Sequence, residues 1–219
     1  MQPLILTLQL ALIVTVILFV ISVPLAYWIA FSRNRFKYIV ETLVSMPLVL
    51  PPTVIGFYLL IVFSPQNFLG HFLEMYLGIR VVFSFTGLVI GSVIFSLPFM
   101  VNPIKAGLQN FSSTLMEASF CLGKSQWATL RHVILPNIKP ALITGIVMAF
   151  AHTIGEFGVV LMIGGNIPGE TRVASIAIYD QVEALNYDTA GFYAMTLVFV
   201  SFFILLIFYF LNRKSVKIF

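Results

Sequence analysis

Charge is what this chain has least of. Asp, Glu, Lys and Arg together make up 9% of its 219 residues, whereas a soluble domain carries about a quarter, so this composition cannot supply a water-facing surface. Cysteine is nearly absent, and the single Cys121 excludes a disulfide within one chain. Metal and redox chemistry also lack a ligand set, because His71, His132 and His152 fall in separate segments. There is no contiguous basic patch of the kind that dominates nucleic-acid affinity, so the formal charge of +4 does not imply a nucleic-acid partner. No G-x-x-x-x-G-K-[ST] phosphate-binding loop occurs anywhere in the sequence.

Apolar residues make up 60% of the chain. Crossing a hydrocarbon core takes about 20 of them as helix, and charge-free runs of that size cover 1–32, 42–73, 81–104 and 189–212. A fifth run, 140–165, contains one acid, Glu156. The expectation is an all-α integral membrane protein, a single domain over 1–219 with about five transmembrane helices. The first run is read as a retained helix and not a cleaved signal, since it lacks a basic leading region and Arg33, Arg35 and Lys37 follow it.

Short cytoplasmic loops are enriched in Lys and Arg. With the amino terminus outside, the cytoplasmic segments hold Arg33, Arg35, Lys37, Lys105, Lys124, Arg131, Lys139, Arg213, Lys214 and Lys217, leaving only Arg80 and Arg172 outside. Glu74, Glu170, Asp180, Glu183 and Asp188 all fall in the outer loops, and the carboxyl terminus is cytoplasmic. The long outer segment has room for a helix over 173–185, at or dipping into the interface.

Pro24, Pro47, Pro51, Pro52 and Pro98 lie in or at the ends of apolar runs, where freed backbone groups need neighbours or a water-lined cavity. The plain reading is kinks that improve packing. Gly87 and Gly91 form a GxxxG spacing that lets helix backbones approach, a pattern frequent by chance in apolar helices.

The inner segment 105–139 is long and patterned. Thr114 and Glu117 have capping-box spacing, so a short helix is expected to begin there. Leu115, Ala118, Ser119 and Leu122 follow one helix face, and Gly123 sits where a helix commonly ends with positive φ. A second helix is expected through Trp127 and Leu130, stopped near Pro136. Short helices are marginal alone, so this one needs either a partner surface or lipid headgroups.

Glu117-Ala118-Ser119, Gly123 after three residues, and Val133-Ile134-Leu135-Pro136 after nine more resemble the EAA loop of ABC importer membrane subunits. Ser119 replaces the third-position alanine of the family pattern, and Val133 replaces its isoleucine. The resemblance implies the type I permease fold, with 109–136 forming short cytoplasmic coupling helices. Glu117, Ala118, Ser119, Gly123, Leu135 and Pro136 are the coupling residues it implies. It also implies a pair of cytoplasmic ATPase subunits that hold the ATP and Mg, an extracytoplasmic binding protein that delivers cargo, and a permease homodimer. Helices would swing between inward-open and outward-open states in a bacterial or archaeal cytoplasmic membrane. The chain itself would be no enzyme and would bind no cofactor.

His152-Thr-Ile-Gly155-Glu156-Phe157-Gly158, Gly165-Asn166-Ile-Pro168-Gly169-Glu170-Thr171, Ala177-Ile-Tyr179 and Leu50-Pro51-Pro52-Thr53-Val54-Ile55-Gly56 resemble the molybdate importer branch. That branch shares its Gly-Glu-Phe-Gly element with sulfate importers. Molybdate, with tungstate beside it, is the expected cargo; sulfate or thiosulfate is the alternative. Thr53, Asn102, Thr144 and Thr153 are candidates for a weakly polar passage, or equally for satisfying local backbone. Glu156 is read as structural, hydrogen-bonded to neighbouring helices, over direct pathway work, although an ionisable residue in a span is functional by default. An ion-coupled secondary transporter would be expected to show internal repeats, which are absent. A membrane enzyme using His152 and Glu156 as a base and acid lacks a nucleophile or metal set.

Overall fold

The computed structural model describes residues 1–215, with side chains described through Phe210. Lys217 therefore lies outside the described residues, as do the side chains of Arg213 and Lys214. Every regular element among the described residues is helical.

Helix α1 (Gln2–Phe31) is followed by α2 (Phe36–Ser45), a 3-10 turn (Met46–Leu48), α3 (Pro52–Phe63) and α4 (Phe68–Leu77). Next come α5 (Phe85–Gln109), α6 (Ser113–Cys121), α7 (Gln126–Thr129), a π turn (Leu130–Ile134) and α8 (Leu135–Asn137). The chain then forms α9 (Lys139–Gly155), α10 (Gly158–Gly164), α11 (Ala174–Glu183) and α12 (Tyr187–Ser215). Three helices are individually long and apolar enough to cross a membrane, and the number rises to five if each of two bent pairs is one span.

The run 42–73 is not one helix, contrary to the sequence expectation. Pro51 and Pro52 lack the N–H groups that would continue α2, so the chain turns, and Phe36–Leu48 and Pro52–Phe63 meet at 113°. The run 140–165 is likewise broken, with α9 ending at Gly155 and α10 starting at Gly158. Pro24 and Pro98, by contrast, lie inside continuous helices.

The centre of the bundle is α1 against α5 and α9. Leu10, Val14 and Leu18 share one face of α1 and are fully buried, as are Leu88, Met100, Ile104 and Leu108 of α5. Within a bilayer, helices associate through close packing more than through exclusion of water, and small residues allow it. A Cβ at Gly107 would lie 2.5 Å from the Cβ of Ala141, and one at Gly91 would lie 3.0 Å from Val159 Cγ1. The GxxxG pair thus seats α10 within the same chain. Helix α12 has no buried residue along its apolar window and borders the bundle.

The two ends of the bundle differ in charge. The start of α1 adjoins α11, where the Ala174 N–H donates to Thr7 Oγ1 at 2.8 Å, and Phe83 N–H donates to the Ile163 carbonyl at 2.9 Å. Arg172 donates to Asn166 Oδ1 at 2.5 Å, Asn166 donates to Asp180 Oδ1 at 2.9 Å, and Arg172 pairs with Asp180 at 3.4 Å, which fixes the loop before α11. At the opposite, basic end, Lys105 of α5 pairs with Glu41 of α2.

Candidate functional site

Two regions gather the residues singled out by the sequence. The first is the segment at the basic end. Helix α6 begins one residue before Thr114, with Ser112 as its N-cap and no side-chain cap hydrogen bond, so the Thr114–Glu117 capping box does not form. Gly123 has φ +73°, as expected, and its N–H donates to the Phe120 carbonyl at 2.9 Å. Past it the helical path does not stop at Pro136. It runs through a π turn in which the Leu135 N–H reaches back to the Leu130 carbonyl, and α8 continues to Asn137. A wide turn just before Pro136 accommodates a residue with no N–H to give.

The face assignment of α6 also differs from the spacing argument. Met116 packs against the core and Ser119 is buried, whereas Leu115, Ala118 and Glu117 point outward. Phe120 is exposed, Leu122 is 79% exposed and Trp127 is 70% exposed. These apolar side chains are exposed on the short helices at the basic end, with Trp127 bordering a groove shared with Pro24 and Tyr27 of α1. Phe120 is not among the residues that the spacing singles out, and Trp127 is expected only as part of a second helix; the signal for both is a large apolar residue inside a basic inter-span segment. Leu135 is partly buried against the core, and Pro136 is exposed.

The second region is a cavity of about 570 Å³ where the two broken helices meet, lined by Pro52, Thr53, Phe95, His152, Glu156 and Phe157 among others. Phe95 lies ten residues into α5, about 15 Å along its axis, roughly half of the ~30 Å hydrocarbon thickness. Helices α3 and α10 both start at this depth and run side by side toward the amino-terminal end; a Cβ at Gly158 would lie 2.7 Å from Pro52 Cβ. The N-terminus of α3 has no side-chain cap, and Pro51 and Pro52 have no N–H. A second groove of about 640 Å³, lined by Glu41, Ser45 and Leu50, opens at the basic end and reaches the same α2–α3 break.

Of the proposed passage residues, Thr53 and Glu156 line the cavity, while Asn102, Thr144 and Thr153 do not. Thr144 donates to the Pro140 carbonyl at 2.9 Å, and buried Thr153 donates to that of Ala149 at 2.9 Å, so both satisfy local backbone. Because Thr153 spends its proton on Ala149, Ser96 must donate to Thr153 Oγ1 at 3.1 Å, and His152 Nδ1–H then donates to Ser96 Oγ at 2.9 Å. Phe99 stacks on the His152 ring with centroids 3.9 Å apart. His152 is thereby held in one orientation, and no hydrogen bond or ion pair joins it to Glu156 among the described residues.

Glu156 is 4% exposed. Its two carboxylate oxygens meet no partner in good hydrogen-bonding geometry among the described residues, and the neighbouring-helix hydroxyl within their reach is that of Ser92. Ser92 of α5 stands beside it with its own hydroxyl unpartnered. The tie runs through the backbone instead: Ser175 Oγ of α11 donates to the Glu156 carbonyl at 2.6 Å, and Phe157 meets Tyr179 with ring centroids 5.2 Å apart.

Residues 22–216 match the family described as "Binding-protein-dependent transport system inner membrane component". The chain is 44% identical over 205 residues to the molybdenum transport system permease protein ModB of Azotobacter vinelandii, covering 93% of this chain and 90% of that one. It is 30% identical over 204 residues to a probable sulfate transport system permease protein of Chlorella vulgaris, covering 86% of this chain and 76% of that one. A crystal structure of a bacterial ABC transporter involved in the import of the acidic polysaccharide alginate has the same fold, with TM-score 0.80, 17% identity, and coverage of 99% of this chain and 79% of that one.

Proposed function

The chain belongs to the binding-protein-dependent transport system inner membrane component family, and from that premise we propose that it is the permease subunit of an ATP-driven molybdate importer. The observation that carries the import reading is the exposure of the apolar side chains Phe120, Leu122 and Trp127 on the short helices at the basic end. A surface of this kind fits a groove on a separate protein, and a cytoplasmic ATPase pair holding ATP and Mg is that partner. The basic end is then cytoplasmic, in keeping with the positive-inside bias.

Molybdate as cargo rests on the 44% identity to a molybdenum permease; the sulfate relatives favour sulfate as a competitor. The cavity at the α2–α3 and α9–α10 breaks is the passage. Its polar lining is sparse: Thr53 and the uncapped α3 start can meet an anion, His152 and the buried Glu156 border it, and there is no Lys or Arg to trap it. Weak contacts suit a passage, since cargo must also leave. A binding protein outside supplies selectivity, and the outward apolar face of α12 accompanies a homodimer in which two copies enclose the path.

Co-purification of the tagged chain in detergent, followed by radiolabelled molybdate uptake in vesicles supplied with the ATPase and binding protein, tests the assignment. Uptake that continues with an inactive ATPase, or that prefers sulfate, overturns the energy source or the cargo respectively. Leu122→Asp, at a side chain with no role in the fold, lowers ATPase co-purification about tenfold, the loss typical of one anchor residue in an interface. Glu156→Gln leaves molybdate uptake unchanged, because both carboxylate oxygens are shielded from water although the residue borders the cavity, and an amide of the same shape fills their place. A loss of uptake in that variant would place the carboxyl in the passage.

A further inference from the structure

Within the coupling segment one buried contact joins the docking helix to the membrane bundle. Ser119 of α6 is 4% exposed and Thr129 of α7 is 1% exposed, and their hydroxyl oxygens are 2.9 Å apart. Helix α6 has little else to hold it. Its outward face carries Leu115 and Phe120, and its inward face offers Met116 and Ser119. Its C-terminus leaves through the Gly123 turn, where the Lys124 N–H donates to the Ser119 carbonyl at 3.2 Å. Thr129 immediately precedes the π turn, whose Leu130 and Ile134 are buried in the main core, and that turn leads through α8 into α9 and the cavity.

We propose that the Ser119–Thr129 hydroxyl pair is the positioning contact that transmits displacement of α6 to α9, so that ATP hydrolysis and cargo movement stay in step. The inference rests on the import reading above. Each hydroxyl is the sole hydrogen-bond partner of the other side chain among the described residues. A buried hydroxyl left without its partner is costly, whereas replacing both partners by apolar groups is close to neutral. The double substitution therefore separates stability from transmission: it buries no unpartnered hydroxyl, so the fold recovers, but it leaves no hydroxyl contact between the two helices.

The measurement is molybdate imported per ATP hydrolysed, in proteoliposomes containing the chain, its ATPase and the binding protein. Ser119→Ala and Thr129→Val each lower this ratio about tenfold, and the double variant lowers it by about the same factor and not by the product, because one shared contact has been removed. Thr129→Ser keeps a hydroxyl in place and preserves the ratio. If either single variant is too unstable to reconstitute, the double variant and Thr129→Ser still decide the matter: the first lacks the contact and uncouples, the second keeps it and couples. A double variant with an unchanged ratio, or one as poor as the product of the two singles, overturns the proposal. Failure of the wild-type chain to co-purify an ATPase would instead remove the import reading itself.

Discussion

Gly123→Pro is expected to release the ATPase and abolish molybdate uptake while the protein still inserts and folds. Two independent features of the backbone require glycine there. At φ +73° the residue is far from the ~−65° to which proline is locked, and its N–H, which proline lacks, closes the end of α6 on the Phe120 carbonyl at 2.9 Å. The turn must open, and with it the relative placement of Phe120 and Trp127 on either side. Gly123→Ala is a graded control: no atom lies within 4 Å of the added Cβ, so its cost is only the left-handed backbone, about 1–2 kcal/mol. Alanine should therefore retain part of the ATPase in a detergent pull-down and proline none. The core residues Leu130 and Ile134 lie beyond the turn, so monodisperse protein is expected in both cases. Full ATPase retention by the proline variant would show that this segment is not the docking element.

The second large effect is expected at Gly56, where α3 crosses α10. A Cβ there would lie 2.6 Å from Met162 Cβ and 3.2 Å from the Val159 Cα, and a backbone atom cannot step aside as a side chain can. Gly56→Leu must separate two helices whose starts frame the cavity. Overpacking of this kind costs about 1–3 kcal/mol and sometimes more, so loss of monodisperse protein on size exclusion after mild heating is expected, together with loss of uptake. Gly191→Ala on α12 is the matched control. Nothing lies within 4 Å of its Cβ, and replacing a mid-helix glycine by alanine is favourable by roughly 0.5–1 kcal/mol. Equal heat resistance of the two variants would refute the close approach of α3 and α10.

The resemblance carried by Glu117, Gly123 and the Ile134-Leu135-Pro136 run marks the segment that forms the short helices at the basic end, because its spacing is read along the chain. Spacing failed where faces had to be assigned. Leu115 and Leu122 are apolar at helical intervals, and in an isolated domain that pattern marks a buried face; here they face away from the bundle, since Met116 and Ser119 already meet it. Among the passage candidates, the sequence could not separate Thr53, at an uncapped helix start, from Thr144 and Thr153, whose hydroxyls return to their own helices. The difference depends on where a helix breaks, and the break at Glu156 lies in a stretch whose hydropathy reads as continuous.

The sequence by itself determined the solvent of this protein, the number of apolar runs and the end that carries positive charge. These follow from composition and from local spacing, which need no knowledge of neighbours. Only the tertiary structure decided that two of those runs are bent or broken, that the breaks come together at mid-depth around one cavity, and that Ser119 finds Thr129. Such contacts join residues far apart in the chain or across a turn, and their geometry is set by close packing between helices, which hydropathy does not encode.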